Sequence, residues 1–261
     1  MEREPLVLIH GFSGTARVWE PVLDGLREHH DVHALTLAGH SGGPALAAGV
    51  ESSPAALADD LERQLDELGL DTAHVCGNSL GGWMAIELAG RGRARSVVAL
   101  APAGGWDRDS AEERRLAKFF RRQRRLMVRS APYVERVLRR PRLRRLAMRD
   151  LCVRGDRWTP EQALAMSRGA LDCAIYESFI EVIERDGPPA GFAAVDVPLR
   201  IVWGTRDRVL PDKLHVAGYR RLVPDAEFVT LEGAGHVPMI DEPERVVQLI
   251  LEVTARSAIA V

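Results

Sequence analysis

Short apolar runs alternate with amphipathic helical patterns in both end portions of the chain, and this alternation constrains the fold more than any other feature. Each run is rich in β-branched residues and almost continuously apolar, which is typical of a strand buried in a parallel sheet. The runs lie at residues 5–10, 31–37, 73–78, 94–100, 198–204 and 226–233. Their order predicts an α/β fold, with helices on both faces of a mostly parallel, doubly wound sheet of about six strands.

The helical patterns between these runs carry the expected start signals. Residues 54–68 place four leucines on one helical stripe, with Ser53 as the N-cap residue and Pro54 in the first turn. Residues 243–256 repeat the pattern with valine and isoleucine. Both segments are therefore predicted to be amphipathic helices that pack one face on the sheet.

Strand-like runs are missing between about residue 106 and about residue 195, where helical, arginine-rich sequence takes their place. Residues 106–158 contain 18 Lys or Arg against 7 Asp or Glu, although the whole chain has a net charge of −2. We predict a helical lid insertion at 106–195, within an α/β core formed by 1–105 and 196–261. The arginine surplus has two interpretations: solvated helix faces, or a surface that attracts an anionic ligand or partner.

The composition is that of an ordinary soluble globular protein, with 46% hydrophobic and 28% charged residues. The three cysteines lie far apart and form no C-x-x-C pair, which favours a reducing compartment and argues against a structural zinc site. The N-terminus lacks the form of a signal peptide, and no stretch is long enough to span a membrane. We therefore expect a cytoplasmic protein with no metal or other cofactor, no nucleic-acid partner and no stable membrane insertion.

The sequence Gly77-Asn78-Ser79-Leu80-Gly81 directly follows one apolar run and leads directly into a helical pattern. A serine in a G-x-S-x-G turn between a strand and a helix is typical of a nucleophile elbow, in which the hydroxyl stands clear of the sheet edge. The flanking glycines remove Cβ atoms that the tight turn cannot accommodate, and the N-terminus of the helix favours developing negative charge. For the pentapeptide alone, the alternative is a glycine-rich turn that caps a helix.

A serine hydroxyl is a weak nucleophile, so it needs a base, and the base needs a partner that fixes its tautomer. His236 lies in a loop after the last apolar run, and Asp207 follows the run before it. Because the carboxyl ends of parallel strands share one edge of a sheet, the loops that carry Ser79, Asp207 and His236 are expected to meet. Their order along the chain matches the order expected for this elbow, so we predict a Ser-His-Asp catalytic triad.

Four segments of the chain resemble the α/β-hydrolase family: LVLIHGFSG, GNSLGG, WGTRDRVLP and EGAGHVPMIDEPERV. The resemblance covers nearly the whole chain outside the predicted lid. It implies an oxyanion hole formed by the backbone N–H groups of Phe12 and Leu80, and a structural role for His10 in holding the loop of Phe12. Two features depart from the family: the N-terminal antiparallel hairpin is missing, and the loop at 37–44 has an altered sequence, in which His40 is expected at the surface or in loop packing.

The resemblance implies a serine hydrolase, and hydrolysis of a carboxylic ester or thioester through an acyl-enzyme is the first expectation. The alternatives are a C–C bond hydrolase of dienone-type substrates, a hydrolase-fold lyase acting on an anionic substrate, and a triad-bearing ligand receptor. The C–C hydrolases tend to carry tryptophan after the catalytic histidine, where this chain has Val237, and the lyase has arginine one turn after the nucleophile, where this chain has Trp83. Dehalogenases and epoxide hydrolases of this fold use aspartate at the elbow, where this chain has Ser79.

The predicted lid falls between strands whose ends carry catalytic loops, so we expect it to cover Ser79 and to form much of the substrate pocket. Its large apolar side chains are candidates for the pocket lining, with packing inside the lid as the alternative for each: Trp106, Phe119, Phe120, Trp158 and Phe179. We expect a small-molecule substrate, and either a monomer or a homodimer.

Overall fold

The structure, a computed structural model, describes residues 3–189 and 191–257. Its strands are β1 (Pro5–Ile9), β2 (Asp31–Leu35), β3 (Ala73–Asn78), β4 (Ala94–Leu100), β5 (Leu199–Gly204) and β6 (Glu227–Leu231). They form one sheet in the order β2-β1-β3-β4-β5-β6, in which every neighbouring pair is parallel. All six predicted strands are confirmed, and each predicted end lies within two residues of the observed one.

The helices of the described residues are α1 (Glu20–Arg27), α2 (Pro54–Glu67), α3 (Leu80–Gly90), α4 (Ala111–Ser130), α5 (Val134–Leu138), α6 (Pro141–Ala147), α7 (Pro160–Leu171), α8 (Tyr176–Asp186), α9 (Asp212–Leu222), α10 (Pro238–Asp241) and α11 (Pro243–Ser257). The helices predicted at 54–68 and 243–256 are α2 and α11. At the start of α2, the Ser53 hydroxyl accepts the backbone N–H of Ala56 at 3.2 Å, as an N-cap residue does. None of these helices combines the length and the apolar content that crossing a membrane requires.

Alternate side chains of the strands enter two separate cores. In β1, Val7 and Ile9 belong to the core that includes α2 and α3, whereas Leu6 and Leu8 belong to the core that includes α1 and α11. All four side chains are buried. Complete burial of one such side chain stabilises the fold by about 1.5–3 kcal/mol, so both faces of the sheet contribute. The doubly wound arrangement predicted from the sequence is therefore confirmed.

Between β4 and β5, the described residues form the helices α4 to α8 and no strand. The Ser110 hydroxyl caps α4 by accepting the N–H of Glu113 at 3.1 Å, and Thr159 and Gln162 form a reciprocal capping box at the start of α7. The segment is therefore helical. Its bounds at 106–195, and its role as a lid, stay predictions.

The sheet topology places a crevice at the carboxyl ends of β1 and β3. These strands lie side by side at the point where the chain changes direction: β1 is followed by β2 on one side, and β3 by β4 on the other. In an open α/β sheet, such a switch point is the usual location of a ligand site. The loops that follow β1, β3, β5 and β6 all begin at this edge because the strands are parallel.

Candidate active site

Ser79 lies in the tight turn between β3 and α3, with φ of 56° and ψ of −117°. Holding a residue that has a side chain in this region costs about 1–3 kcal/mol, so the surrounding structure must enforce it. A Cβ atom on Gly77 would lie 2.0 Å from the carbonyl oxygen of Gly81, and one on Gly81 would lie 2.1 Å from the carbonyl oxygen of Ile9. Both glycines of the predicted elbow are thus required by the close approach of the backbone segments.

The backbone N–H groups of Phe12 and Leu80 are available at this turn, because neither donates a hydrogen bond to an acceptor among the described residues. Leu80 is the first residue of α3, so its N–H lies at the positive end of the helix dipole. The loop of Phe12 passes directly beside the serine, since a Cβ on Gly11 would lie 3.0 Å from Cβ of Ser79. Two free N–H donors near one hydroxyl are the groups that a developing oxyanion requires.

His10 holds the loop that carries Phe12. Its Nε2 accepts the backbone N–H of Leu37 at 3.1 Å, and its Nδ1 donates to the carbonyl of Gly11 at 2.8 Å. Burial and the neighbouring His40 lower the pKa of His10 to about 3, so the ring is neutral near pH 7. His40 is buried as well, and its ring meets that of His10 edge-on at a centroid distance of 5.1 Å. His40 therefore belongs to the loop packing and not to the surface.

Asp207 and His236 form a buried hydrogen-bonded pair, with 2.7 Å between His236 Nδ1 and Asp207 Oδ2. The other carboxylate oxygen of Asp207 accepts the backbone N–H groups of Val209 at 2.9 Å and Leu210 at 2.8 Å, which fixes the carboxylate. Because the carboxylate accepts the hydrogen bond, Nδ1 carries the proton and Nε2 keeps its lone pair. His236 and Ser79 line the same cavity. The fold thus brings the three predicted residues to one site.

Asn78 ties the elbow to the histidine loop, a role that the sequence analysis did not predict. Its side-chain amide donates to the carbonyl of His236 at 2.9 Å and to the carbonyl of Leu100 at 3.0 Å. One buried amide therefore joins the residue before the serine, the end of β4 and the backbone of the histidine.

Asp241 ties the same histidine loop to the helical segment. Its Oδ2 accepts the backbone N–H groups of Gly235 at 2.7 Å and Val153 at 3.1 Å, and its Oδ1 accepts that of Arg154 at 2.7 Å. In addition, the N–H of Val237 donates to the carbonyl of Leu151 at 2.8 Å. The buried carboxylate of Asp241 thus anchors the residue before the histidine, and the carbonyl of Leu151 anchors the residue after it.

A cavity of about 340 Å³ opens beside the serine. On the sheet side it is lined by Ser79, His236 and Phe12, and on the other side mostly by apolar residues of α4 to α7. Three of the predicted pocket residues line this cavity: Phe119, Phe120 and Trp158. The serine and the histidine therefore face a space of the size and character of a small-molecule site.

A second cavity, of about 50 Å³, also touches Ser79 and is lined by the remaining predicted aromatic residues, Trp106 and Phe179, and again by Phe120. Two buried polar atoms of its lining residues, Nε1 of Trp106 and Oε1 of Glu113, have no hydrogen-bond partner among the described residues. All five predicted aromatic residues thus line one or other of the two cavities beside the serine.

The cysteines do not provide a competing nucleophile. Cys76, Cys152 and Cys173 are all buried and free of disulfides, and burial raises the pKa of each thiol. A thiol with a raised pKa forms little of the reactive thiolate. Within residues 3–189 and 191–257, no group of three or more His, Cys, Asp or Glu side chains is arranged to hold a metal ion.

Comparison with known proteins places this site in a family. The sequence profile of the Alpha/beta hydrolase family matches residues 6–249. The epoxide hydrolase EphH of Mycobacterium tuberculosis is 37% identical over 208 residues, which cover 76% of this chain and 93% of that protein.

Among solved structures, a thermophilic esterase from Thermogutta terrifontis superimposes with a TM-score of 0.67 at 24% identity, covering 98% of this chain and 91% of that one. The 2-hydroxy-6-oxo-6-phenylhexa-2,4-dienoate hydrolase of Rhodococcus sp. strain RHA1 superimposes with a TM-score of 0.71 at 17% identity, covering 97% and 91%. Structural likeness at this level of identity shows a shared fold, whereas the profile match and the relation to EphH show descent. The chain belongs to the alpha/beta hydrolase family and is a hydrolase.

Proposed function

We propose that the protein hydrolyses small carboxylic esters or thioesters through an acyl-enzyme on Ser79. One observation carries the proposal: a serine at the N-terminus of α3 faces the same cavity as His236, whose Nδ1 is held 2.7 Å from Asp207. A nucleophile, a base with the correct nitrogen free and a carboxylate that fixes the tautomer are the parts that nucleophilic acyl transfer requires.

In the acylation step, Nε2 of His236 takes the hydroxyl proton as Oγ of Ser79 attacks the carbonyl carbon. The carbonyl oxygen becomes negative and is stabilised by the N–H groups of Phe12 and Leu80, each contributing on the order of 3 kcal/mol to the transition state. The imidazolium then gives its proton to the leaving alcohol or thiol, and the carbon–oxygen or carbon–sulfur bond breaks. In the second step, His236 activates water, which attacks the acyl group and releases Ser79.

The two cavities provide the substrate pocket in this proposal. Both adjoin Ser79, and their linings are mostly apolar. In the proposal, the helical lid at 106–195 covers the serine and supplies these walls. We therefore propose a neutral, moderately apolar small-molecule substrate. That the protein is cytoplasmic, and either a monomer or a homodimer, remains a prediction.

Labelling with a fluorophosphonate probe tests the nucleophile. The wild-type protein is expected to gain one probe per chain by intact mass, because the triad activates one hydroxyl. Ser79→Ala is expected to remain unlabelled and to lose on the order of 10⁴-fold or more in kcat for a p-nitrophenyl ester. Ser13→Ala is the matched control, since Ser13 also lines the large cavity and also has φ of 56°. Labelling that persists in Ser79→Ala, or that disappears in Ser13→Ala alone, would contradict the assignment.

Epoxide hydrolysis is the second candidate, favoured by the 37% identity to a protein named epoxide hydrolase. Attack of a serine hydroxyl on an epoxide would form an ether, and water does not cleave an ether by the acyl-transfer route. Epoxide turnover would therefore need direct attack by a water that His236 activates, without a covalent bond to Ser79. The Ser79→Ala variant separates the two: ester hydrolysis should be lost, whereas an epoxide reaction of this kind would survive.

A further inference from the structure

Helices α4 to α6 carry many positive charges together with exposed apolar side chains. Residues 118–149 contain 13 Lys or Arg and a single acidic residue, Glu135. We call the exposed surface of this segment the basic face. A surplus of charge by itself is expected on solvated helix faces, so the arrangement of these side chains decides whether the surface can bind a partner.

Most cations of the basic face have no carboxylate partner. Within the described part of the chain, no ion pair involves the following exposed residues: Lys118, Arg122, Arg125, Arg129, Arg136, Arg140 and Arg142. Arginines of the sheet region are arranged differently, since Arg91 contacts the carboxylates of Asp59, Glu62 and Glu87. The basic face thus has positive charge that is not neutralised by the protein itself.

Large apolar side chains are exposed among these cations. Of the eight exposed large hydrophobic residues in the described chain, five lie in the basic face: Leu126, Val128, Tyr133, Leu143 and Leu146. Leu126, Val128, Tyr133 and Leu146 are each more than half exposed, at 57%, 54%, 67% and 56%. Scattered exposed leucines are normal on a protein, but five of the eight lie within 32 consecutive residues, so exposed apolar side chains are concentrated in the same segment as the unpaired cations.

The basic face adjoins the cavity that contains Ser79. Leu126 is exposed and also lines this cavity. Its neighbours in the segment, Ala131, Val134 and Ala147, line the cavity as well. The cavity therefore reaches the surface next to uncompensated arginines and exposed aliphatic side chains.

We propose that the basic face docks on an anionic lipid surface. Exposed aliphatic and aromatic side chains interspersed with arginines can enter the headgroup region of a bilayer while the cations meet lipid phosphates, without any span of the membrane. An acidic protein is the alternative partner. Its charged surface would pair with the arginines but would offer little apolar surface for the exposed leucine, valine and tyrosine side chains. Docking in this orientation brings the cavity that holds Ser79 to the source of acyl chains, and that consequence rests on the proposed function.

Co-sedimentation with lipid vesicles tests the proposal. The wild-type protein is expected to sediment with vesicles of phosphatidylglycerol and phosphatidylcholine in low salt, to bind pure phosphatidylcholine much more weakly, and to be released as salt rises. Arg129→Gln with Arg142→Gln should lower the partition coefficient on the order of tenfold or more, because each exposed cation near an anionic surface contributes separately. Val128→Ser with Leu146→Ser should also lower it, without changing its dependence on salt.

The matched control removes two cations from other faces. Arg27→Gln with Lys213→Gln, in α1 and α9, changes the net charge by the same amount and should leave vesicle binding within about twofold. The substituted residues of all three variants lie outside the cavity lining, so turnover of a short soluble ester should not change. Ser79→Ala should bind vesicles like the wild type, which separates failure of docking from failure of the proposed chemistry.

Wild-type protein that stays in solution with phosphatidylglycerol vesicles in low salt would overturn the proposal. If that protein instead bound a purified acidic carrier protein through Arg129 and Arg142, the face would be a protein interface. Equal loss of vesicle binding in the two double charge variants would also overturn it, because net charge and not the basic face would then be responsible.

Discussion

The sheet region and the helical segment between β4 and β5 differ in how their charged side chains are paired. In the sheet region, the buried guanidinium of Arg200 bonds to both Glu227 and Glu252, so the charge is matched where water is excluded. In the helical segment, most exposed cations have no acidic partner among the residues that the structure describes. The difference indicates a division of tasks, in which paired polar groups hold the proposed catalytic residues and the segment above them provides walls and an outer surface.

Close to the junction of the two regions, several buried polar atoms have no hydrogen-bond partner within residues 3–189 and 191–257. Trp106 Nε1 and Glu113 Oε1 belong to the helical side, and both ring nitrogens of His215 belong to α9. His215 stacks on Trp203 at a centroid distance of 6.3 Å and meets Trp106 edge-on at 6.1 Å. Burial of polar groups without partners costs stability, so these atoms weaken the junction.

The largest expected effect is loss of the fold from one methyl group in the sheet region. Gly81→Ala places a Cβ 2.1 Å from the carbonyl oxygen of Ile9, in a position where only backbone can yield. We expect the variant to unfold or to lose more than about 4 kcal/mol of unfolding free energy by urea denaturation. Gly191→Ala is the control, because nothing lies within 4 Å of its added Cβ. A folded Gly81→Ala with wild-type stability would show that the backbone at the elbow has room for a Cβ atom.

The next effect concerns the buried hydrogen bond of the proposed triad. Asp207→Asn keeps the size of the side chain but no longer favours the proton on Nδ1 of His236, so we expect kcat to fall by about 10³–10⁴-fold. Asp212→Asn, at a half-buried carboxylate shortly after it, should leave kcat unchanged. Stopped-flow assays on a p-nitrophenyl ester would measure both, with circular dichroism to check folding. If Asp207→Asn kept nearly the wild-type kcat, the carboxylate that orients His236 during catalysis would have to be another residue.

Substitution of Asp241 tests how much its hydrogen bonds between the histidine loop and the helical segment contribute to stability and catalysis. Asp241→Asn replaces one acceptor oxygen by an N–H₂ group, so either the N–H of Arg154 or the N–H groups of both Val153 and Gly235 lose their acceptor. We expect a loss of about 1–3 kcal/mol in unfolding free energy and a roughly tenfold lower kcat with little change in KM, since the loop of His236 is loosened. Glu242→Gln, at the neighbouring exposed carboxylate, should change neither quantity. Loss of stability with unchanged kcat would make the junction purely structural.

Substitution of His215 is expected to have the smallest effect, which is on the pH dependence of the unfolding free energy. Burial lowers its pKa to about 4, below the value of about 6.5 in an unfolded chain. Between pH 6.5 and 4 the unfolded state therefore binds a proton that the folded state refuses, so stability is full above this window and falls as pH falls through it. His10 and His40 act in the same direction.

His215→Phe should remove this residue's part of the acid dependence. The slope of unfolding free energy against pH is expected to decrease by up to about 1.4 kcal/mol per pH unit, with stability at pH 7 unchanged within about 1 kcal/mol. Urea denaturation between pH 4.5 and pH 7 measures the slope, and His29→Gln, at an exposed histidine, serves as the control. An unaltered slope in His215→Phe would mean that the ring takes up a proton in the folded protein as readily as in the unfolded one.

The strands, the helices α2 and α11 and the elbow were predictable because their signals are local in sequence. Apolar runs, N-caps and the spacing of Gly77 and Gly81 each depend on neighbouring residues. Asn78 and Asp241 gave no such signal, since their partners are backbone groups far away in sequence, at His236 and Val153. Their roles follow only from the folded geometry.

The helical segment was predictable in type but not in detail. Its helices are rich in arginine, and a charged residue is normally assigned to the solvent side. Arg144 is nevertheless buried, where its guanidinium donates to the carbonyls of Leu138 and Asp156. Long side chains can bury their aliphatic stems and bond to backbone oxygens, so the polarity pattern does not determine which face of such a helix is inside.

Direct detection of an acyl-enzyme tests whether Ser79 is the nucleophile. During turnover of a p-nitrophenyl ester, rapid acid quenching and peptide mass mapping should find one acyl group on the peptide of Ser79, together with a burst of one nitrophenol per active site. The same measurement on Ser79→Ala should find neither. Steady hydrolysis by the wild type with no acyl group on Ser79, or wild-type turnover by the alanine variant, would contradict the account.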